Sequence, residues 1–257
     1  MTSPITIAAL NTFPVKGLSA CPQQQVSVES GGMFPLDRAW AIEMGARKFD
    51  PADPAWLPKA AFAQLMSHEK LAELESGFET SAGGAVLTIR RAGKQVARGD
   101  LATPIGRQLI EQFIAGFMAA ELRGSPRIVH AQDHHFADTP ARFISLLNLA
   151  TVRDIERVAG RPVDPARFRA NIHIDGAEPW EEFKWLGKKL CIDGQPAFRV
   201  AERITRCAAT SVDPSTATRD MNMPHLLSSA FMHEDCGVYI SAIAGVELKT
   251  GQAITIA

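Results

Sequence analysis

The sequence lacks the patterns that mark proteins bound to nucleic acid or embedded in a membrane. It has 27 Lys and Arg residues against 28 Asp and Glu, without a long run of one sign. A protein that binds nucleic acid through phosphates normally concentrates its basic residues on one face. No stretch approaches the roughly 20 apolar residues of a membrane-spanning helix, and the first residues do not have the pattern of a secretory leader. We therefore expect no nucleic-acid or membrane partner and a location in the cytoplasm.

Cysteine is scarce, and its spacing excludes two common structural roles. The four residues are Cys21, Cys191, Cys207 and Cys236, and no two of them form a CxxC pair. This suits neither a structural zinc site nor a disulfide framework. We expect free thiols, most of which act as small hydrophobic residues. The GxSxG and HExxH patterns are also absent, which removes the local signatures of serine hydrolases and zinc proteases.

Short alternating patterns dominate the chain and predict β-strands. Residues 86–89 and 95–98 form a predicted hairpin around Gly93. Two helices are predicted. One begins at Thr103-Pro104 and continues to the break at 123–126, and the other covers 151–158. Many short strands with few helices predict a mainly β protein with helical insertions (α+β) and barrel-like sheets. The break divides the chain into predicted domains 1–124, rich in β structure, and 125–257, a β-barrel.

Polar side chains recur on one face of the segment 169–174. If this segment is a strand, Arg169, Asn171 and His173 share a face. Such a row could line an anion-binding cavity, because guanidinium binds phosphate through two parallel hydrogen bonds. A strand that simply exposes its polar face to water fits the pattern as well.

The segment 203–214 holds the cysteine with the most polar neighbours. On an extended chain Thr205 and Cys207 share a face and Arg206 points away. A thiolate is a soft ligand that suits a metal such as molybdenum. In the first half, Lys16 and Arg38 flank predicted strands and could reach a phosphate, although each could equally be an ordinary surface residue.

Taken in order along the chain, these segments resemble the MOSC family, with its N-terminal β-barrel partner domain, as in the mitochondrial amidoxime reducing component and related bacterial proteins. The most specific segment is 206–214, Arg-Cys-Ala-Ala-Thr-Ser-Val-Asp-Pro, which resembles RCxxTxVDP. The others are Phe13-Pro-Val-Lys16 (YPVKS), Leu36-Asp-Arg-Ala-Trp40 (DRxW), Phe168-Arg-Ala-Asn-Ile172 (FRPN-I) and, more weakly, Cys236-Gly-Val-Tyr239 (FGxY). Gly17, Ala170 and Ala217 replace the serine, proline and glycine of these motifs, and Ser19 is a candidate substitute for the missing hydroxyl.

The resemblance implies a role for each motif residue. Cys207 corresponds to the protein ligand of molybdenum, and Lys16 and Arg38 to the residues that bind the phosphate of the molybdenum cofactor (molybdopterin). The remaining cofactor-binding residues implied in this way are Arg169, Asn171, Thr205 and Arg206.

The resemblance also implies an activity, a molybdenum-dependent oxidoreductase that reduces N-hydroxylated small molecules by oxygen-atom transfer. A four-cysteine iron–sulfur pattern is absent, so we expect electrons from a separate donor protein. Two alternatives stay open. The chain could be a carrier that binds the cofactor or sulfur without turnover, or a barrel that has lost its metal.

Overall fold

The computed structural model describes residues 4–45, 48–122 and 124–257 of the chain. Its helices are α1 (Pro104–Phe117), α2 (Leu149–Ala159) and α3 (Met223–Phe231). Its strands are β1 (Thr6–Thr12), β2 (Cys21–Gln23), β3 (Gln25–Val28), β4 (Ala41–Glu43), β5 (Leu74–Ser81), β6 (Gly84–Arg91), β7 (Lys94–Asp100), β8 (Arg127–Val129), β9 (Ile144–Asn148), β10 (Ile172–Asp175), β11 (Lys189–Ile192), β12 (Gln195–Thr205), β13 (Asp235–Ala242), β14 (Val246–Lys249) and β15 (Ile254–Ile256). Short 3-10 turns occupy Lys59–Ala61, Glu69–Glu73, Pro165–Phe168, Glu181–Trp185 and Ala208–Ser211. The prediction of a mainly β protein with helical insertions is confirmed.

The largest sheet carries the strands that frame the functional region. Its eight strands run in the order β15-β11-β12-β13-β9-β10-β1-β2. β9 and β10 pair in parallel, and α2 forms the crossover that a parallel pair requires. Every residue of β9 is buried, as expected for a strand covered on both faces.

The sheet does not close into the predicted barrel. One bridge joins Thr6 to Ala253. Three backbone hydrogen bonds join the same segments, from Ile7 N to Gln252 O at 2.9 Å, from Gly251 N to Ile7 O at 2.8 Å and from Ile254 N to Ile5 O at 2.9 Å. These contacts bring β1 near the start of β15, but within the described residues no continuous ladder joins them. The predicted closed barrel is therefore wrong in this detail, because closure requires a continuous ladder.

A second, three-stranded sheet confirms the hairpin and the first helix. β5, β6 and β7 pair antiparallel in sequence order. The Thr103 hydroxyl caps α1 by accepting from the Gly106 amide at 3.0 Å. Gly99 lets β7 and α1 pack closely, because a Cβ there would lie 2.2 Å from the Gly106 carbonyl oxygen. α1 ends at Phe117, the last residue of its apolar repeat, rather than at the break.

The second predicted helix is also confirmed, and it begins two residues early. Asn148 caps α2 by accepting from the Ala150 amide at 3.0 Å. Gly160 ends the helix with a left-handed φ of 65°.

Strands from the first half of the chain pair with strands from the second half. β1 pairs with β10 and β3 pairs with β14, so segments before residue 124 complete sheets of the second half. The predicted boundary at 124 remains a prediction, and Arg123 beside it lies outside the described residues. Among the described helices, none combines the length and the apolar character needed to cross a membrane.

Candidate functional site

A cavity of about 360 Å³ is lined by side chains from both halves of the chain. All seven residues predicted from the motifs line it. They are Lys16, Arg38, Arg169, Asn171, Thr205, Arg206 and Cys207. The first and the last of them are 191 positions apart in the sequence, and the pairing of β1 with β10 and of β9 with β13 brings them together.

Lys16 is buried at the cavity wall and is held by the loop that precedes β9. Its Nζ donates to the Phe136 carbonyl at 2.7 Å and to Asp138 Oδ1 at 2.6 Å. Burial lowers the pKa of Lys16 and outweighs the attraction of Asp138, while Arg38 and Arg169 push in the same direction as burial. The ammonium is therefore held in place by the protein but is only partly neutralised.

Arg38 is fixed by its neighbour in sequence and by the backbone. Its guanidinium pairs with Asp37, its Nη2 donates to the Arg169 carbonyl at 3.1 Å, and its Cζ lies 4.7 Å from the centre of the Phe13 ring. Burial lowers the pKa of Arg38, but Asp37 reverses this, so the net pKa is raised. Arg38 remains a cation at any physiological pH.

Arg169 lines the cavity from the end of a turn, whereas the sequence analysis predicted that it lies in a strand. β10 begins only at Ile172, and Arg169 ends the turn Pro165–Phe168 with a φ of 52°. The predicted strand 169–174 is therefore wrong over its first three residues, because the preceding proline-led turn takes up the chain. His173 is buried in β10 and does not line the cavity.

The Arg169 guanidinium faces an aromatic ring rather than a carboxylate. Its Cζ lies 4.4 Å from the centre of the Phe13 ring, and within the described residues no carboxylate forms a salt bridge with it. Burial, reinforced by Arg38, lowers its pKa to about 9. A half-buried cation to which the described residues offer no carboxylate partner favours binding of an anion from outside the chain.

Asn171 connects three segments of the cavity lining through hydrogen bonds. Its Oδ1 accepts from the Ser145 amide and hydroxyl at 3.1 and 2.8 Å, and its Nδ2 donates to the Asn11 carbonyl at 3.1 Å. These bonds join β1, β9 and the start of β10. Asn171 therefore lines the cavity with an amide that is largely engaged with the protein.

Thr205 and Arg206 hold the chain on either side of the point where β12 ends. The exposed Thr205 hydroxyl donates to Asp235 Oδ1 at 2.7 Å. Arg206 is buried and donates to two carbonyls, Cys236 O at 2.8 Å from Nε and Phe168 O at 2.9 Å from Nη1. Burial lowers the pKa of Arg206. Because its partners are neutral carbonyls, its positive charge is not cancelled.

Cys207 differs from the other cysteines in its exposure. Cys21, Cys191 and Cys236 are buried, whereas Cys207 is half-buried and lines the cavity. It precedes the turn Ala208–Ser211, and its carbonyl accepts from the Thr210 amide and hydroxyl at 3.0 and 2.9 Å. The backbone at the thiol is therefore fixed by its own turn.

Arg167 is buried and holds the turn Ala208–Ser211 in place. The sequence analysis did not identify it. Arg167 donates from Nη1 to the Thr210 carbonyl at 3.1 Å and to Asp220 Oδ1 at 3.1 Å, and from Nη2 to Asp213 Oδ2 at 3.4 Å. The Ser215 hydroxyl lowers the pKa of Asp213 to about 2 despite some burial, with smaller contributions from backbone amides and Arg167. Arg167 immediately precedes the FRAN motif, but no pattern in the sequence marks it.

Lys59 is a further cation that sequence reasoning missed. It begins the turn Lys59–Ala61 after a proline-rich stretch, and its Nζ lies 3.5 Å from Asp138 Oδ2. Burial lowers the pKa of Lys59, but Asp138 and Cys207 outweigh it, so the pKa is raised. A lone lysine at a loop end carries no sequence signal for this placement.

The cavity as a whole offers cations in excess and one soft ligand. Its lining includes six cationic side chains and three carboxylates, Asp37, Asp138 and Glu202. The described residues contain no cluster of three His, Cys, Asp or Glu side chains that could hold a metal alone. A metal at Cys207 would therefore need further ligands from an organic cofactor, and the cations suit an anionic one. The residues present fit a molybdenum cofactor with a phosphate group.

One comparison with known proteins identifies a domain family. Residues 131–255 match the model of the MOSC domain, a family associated with molybdenum cofactor binding. No curated protein gives a significant match. Among solved structures, YuaD protein from Bacillus subtilis is 11% identical with a TM-score of 0.48, over 99% of this chain and 96% of that one. YiiM from Geobacillus stearothermophilus is 16% identical with a TM-score of 0.35, over 44% of this chain and 53% of that one. The match to the MOSC domain model covers residues 131–255, just under half of the chain.

Proposed function

We propose that the chain is a molybdenum-cofactor-binding oxidoreductase that reduces N-hydroxylated small molecules and receives electrons from a separate donor protein. The observation that carries this proposal is the half-buried Cys207 thiol beside a cavity with excess cations. The net reaction converts an N–OH group, two electrons and two protons into an N–H group and water.

In this proposal the cations hold the cofactor. Arg38 and Arg169 lie over the Phe13 ring, and Lys16 pairs with Asp138. Burial lowers the pKa of Lys16 and of Arg169. A phosphate would supply the acceptor that Arg169 lacks in the protein, and the planar guanidinium can bind it through two hydrogen bonds.

Cys207 would provide the thiolate ligand. When bound, the cofactor supplies the two-electron oxygen-atom transfer, and the protein contributes binding and electrostatics. Arg167 and the turn Ala208–Ser211 hold the backbone at Cys207 in one place. Thr205 and Arg206 anchor the preceding strand end through Asp235 and two carbonyls.

The experiment that tests the proposal is metal analysis of protein expressed in a host that makes the cofactor. We expect about one molybdenum per chain, its loss in Cys207→Ala with an unchanged circular dichroism spectrum, and its retention in the matched control Cys191→Ala. Cys191 is buried in β11, away from the cavity. Unchanged metal in Cys207→Ala would refute the ligand assignment.

Turnover separates the enzyme from a carrier. Purified protein would be supplied with benzamidoxime and a chemically reduced viologen dye in place of the donor protein. Formation of benzamidine supports the oxidoreductase. Bound molybdenum without any product supports a cofactor or sulfur carrier, and absence of molybdenum from the wild type overturns both.

A further inference from the structure

One wall of the cavity carries a carboxylate that no cation neutralises. Asp37 pairs with Arg38, and Asp138 pairs with Lys16 and Lys59. Glu202 is the third carboxylate in the lining, and in residues 4–45, 48–122 and 124–257 no side chain forms a salt bridge or hydrogen bond with it. Its side chain is exposed at the cavity.

A stacked aromatic pair lies beside this carboxylate. Glu202 in β12 is the register partner of Tyr239 in β13. The Tyr239 ring stacks on Phe143, with 5.4 Å between ring centres and 23° between ring planes. Both rings line the cavity. Burial raises the pKa of Tyr239 against the opposing effect of Arg206 and Arg38, so the phenol is neutral at physiological pH.

We propose that Glu202, together with the stacked pair Phe143–Tyr239, selects planar substrates that carry a positive charge and rejects anionic ones. As an assignment of substrate specificity it rests on the proposed function, although its ligand preference can be measured without turnover. A planar cation gains from an aromatic face and from a carboxylate that can accept two of its N–H groups.

The excess of cations in the rest of the cavity lining explains why this selectivity needs a carboxylate. With cations in excess, the cavity by itself would attract anions of any kind. Arg38 and Arg169 lie over the Phe13 ring, whereas Glu202 lies in β12 opposite Tyr239 in β13. A carboxylate in that position repels small anions next to the stacked rings. Repulsion of the wrong ligand contributes to specificity as much as attraction of the right one.

The expected effect is a change in the ratio of two affinities. An exposed charge pair changes an affinity by roughly threefold, and Glu202 acts on a cation and an anion with opposite sign. The ratio of benzamidine affinity to benzoate affinity should therefore fall by about tenfold in Glu202→Gln and by about a hundredfold in Glu202→Lys.

The experiment is a ligand-observed NMR titration of the purified protein with benzamidine and, separately, with benzoate. The matched control is Glu29→Gln, an exposed glutamate outside the cavity, which should leave the ratio unchanged. Phe143→Ala should weaken both ligands by a similar factor and preserve the ratio. An unchanged ratio in Glu202→Gln and Glu202→Lys, or an equal change in the control, overturns the proposal.

Failure of this proposal differs from failure of the proposed function. If the wild type holds no molybdenum and yields no product, but the affinity ratio still falls in the Glu202 variants, only the oxidoreductase is refuted. If benzamidoxime is reduced but the ratio does not respond to Glu202, only the specificity assignment is refuted.

Discussion

Replacement of Arg167 by methionine should loosen the turn that follows Cys207. The Arg167 side chain is 1% exposed and bonds to the Thr210 carbonyl, Asp213 and Asp220. Methionine fills similar space but leaves two carboxylates and a carbonyl without this donor. Removing one partner of a buried ion pair costs about 3–5 kcal/mol. Asp213 and Asp220 are 19% and 14% exposed, and because water reaches them we expect a loss of about 2–4 kcal/mol.

Arg161→Met is the matched control, since Arg161 also pairs with Asp220 but is 46% exposed. Exposed pairs contribute about 0–1 kcal/mol, so this variant should unfold almost as the wild type does. Urea unfolding measures both losses, and molybdenum analysis shows whether the loosened turn still retains metal. Equal losses in the two variants, or a loss below about 1 kcal/mol in Arg167→Met, would refute the idea that this buried network fixes the turn.

The pH dependence of the unfolding free energy separates two interactions of Asp213, the ion pair with Arg167 and the hydrogen bond from Ser215. The Ser215 hydroxyl is the main cause of the depressed pKa of Asp213, about 2. A carboxylate with a lowered folded pKa stabilises the protein above its unfolded pKa, and this stability is lost as the pH falls through the folded value. Ser215 is untouched in Arg167→Met, so the variant should lose stability between about pH 4 and pH 2 as the wild type does.

Three further variants have expected outcomes. Arg169→Gln should raise the unfolding free energy of anion-free protein by about 1 kcal/mol in urea, because burial and Arg38 disfavour this charge. The same variant should bind inorganic phosphate more weakly in a calorimetric titration. Gly17→Ser, which restores the family motif, should lower thermal stability without improving phosphate binding, since Gly17 has a φ of 87° and a Cβ would lie 2.7 Å from the Ala63 oxygen. Burial raises the pKa of Glu182 above its ordinary value of 4.5, so ionisation costs stability as the pH rises above that ordinary value, and Glu182→Gln should gain on the wild type in urea unfolding over the same direction of pH change.

The sequence predicts elements whose signals are local. Thr103 and Pro104 mark the start of α1, and Gly160 marks the end of α2, because caps act within one helical turn. The hairpin of β6 and β7 follows from alternation around a glycine turn. α3 was not predicted, since its short sequence has no clear apolar repeat.

Features that depend on distant contacts could not be predicted in the same way. The alternation at 169–174 suggested a strand from its first residue, but Asp164 caps the turn Pro165–Phe168 and sets Arg169 in a left-handed conformation. Whether the sheet closes depends on pairing between β1 and the start of β15, where a bridge joins Thr6 to Ala253. Such long-range pairings depend on how the whole chain packs rather than on a local pattern.

Motifs identified seven residues that line the cavity, but not Lys59, Arg167 or Glu202, which line it as well. Ser19, considered as a substitute for the hydroxyl missing at Gly17, bonds to Ser76 and does not line the cavity. Ala217, which replaces a motif glycine, keeps a positive φ of 55°, so the backbone geometry persists without the residue that usually permits it. Conformation at these positions is therefore imposed by neighbouring contacts.

The charges of the cavity connect its function to the stability of the fold. Burial lowers the pKa of both Lys16 and Arg169, which means that the folded protein is less stable with these cations charged. Residues chosen for stability alone would be neutral at these positions, because a desolvated charge is costly. A ligand that supplies the missing negative charge removes this cost and stabilises only the folded state. Lys16 and Arg169 are therefore best explained as parts of an anion site that is completed by its ligand.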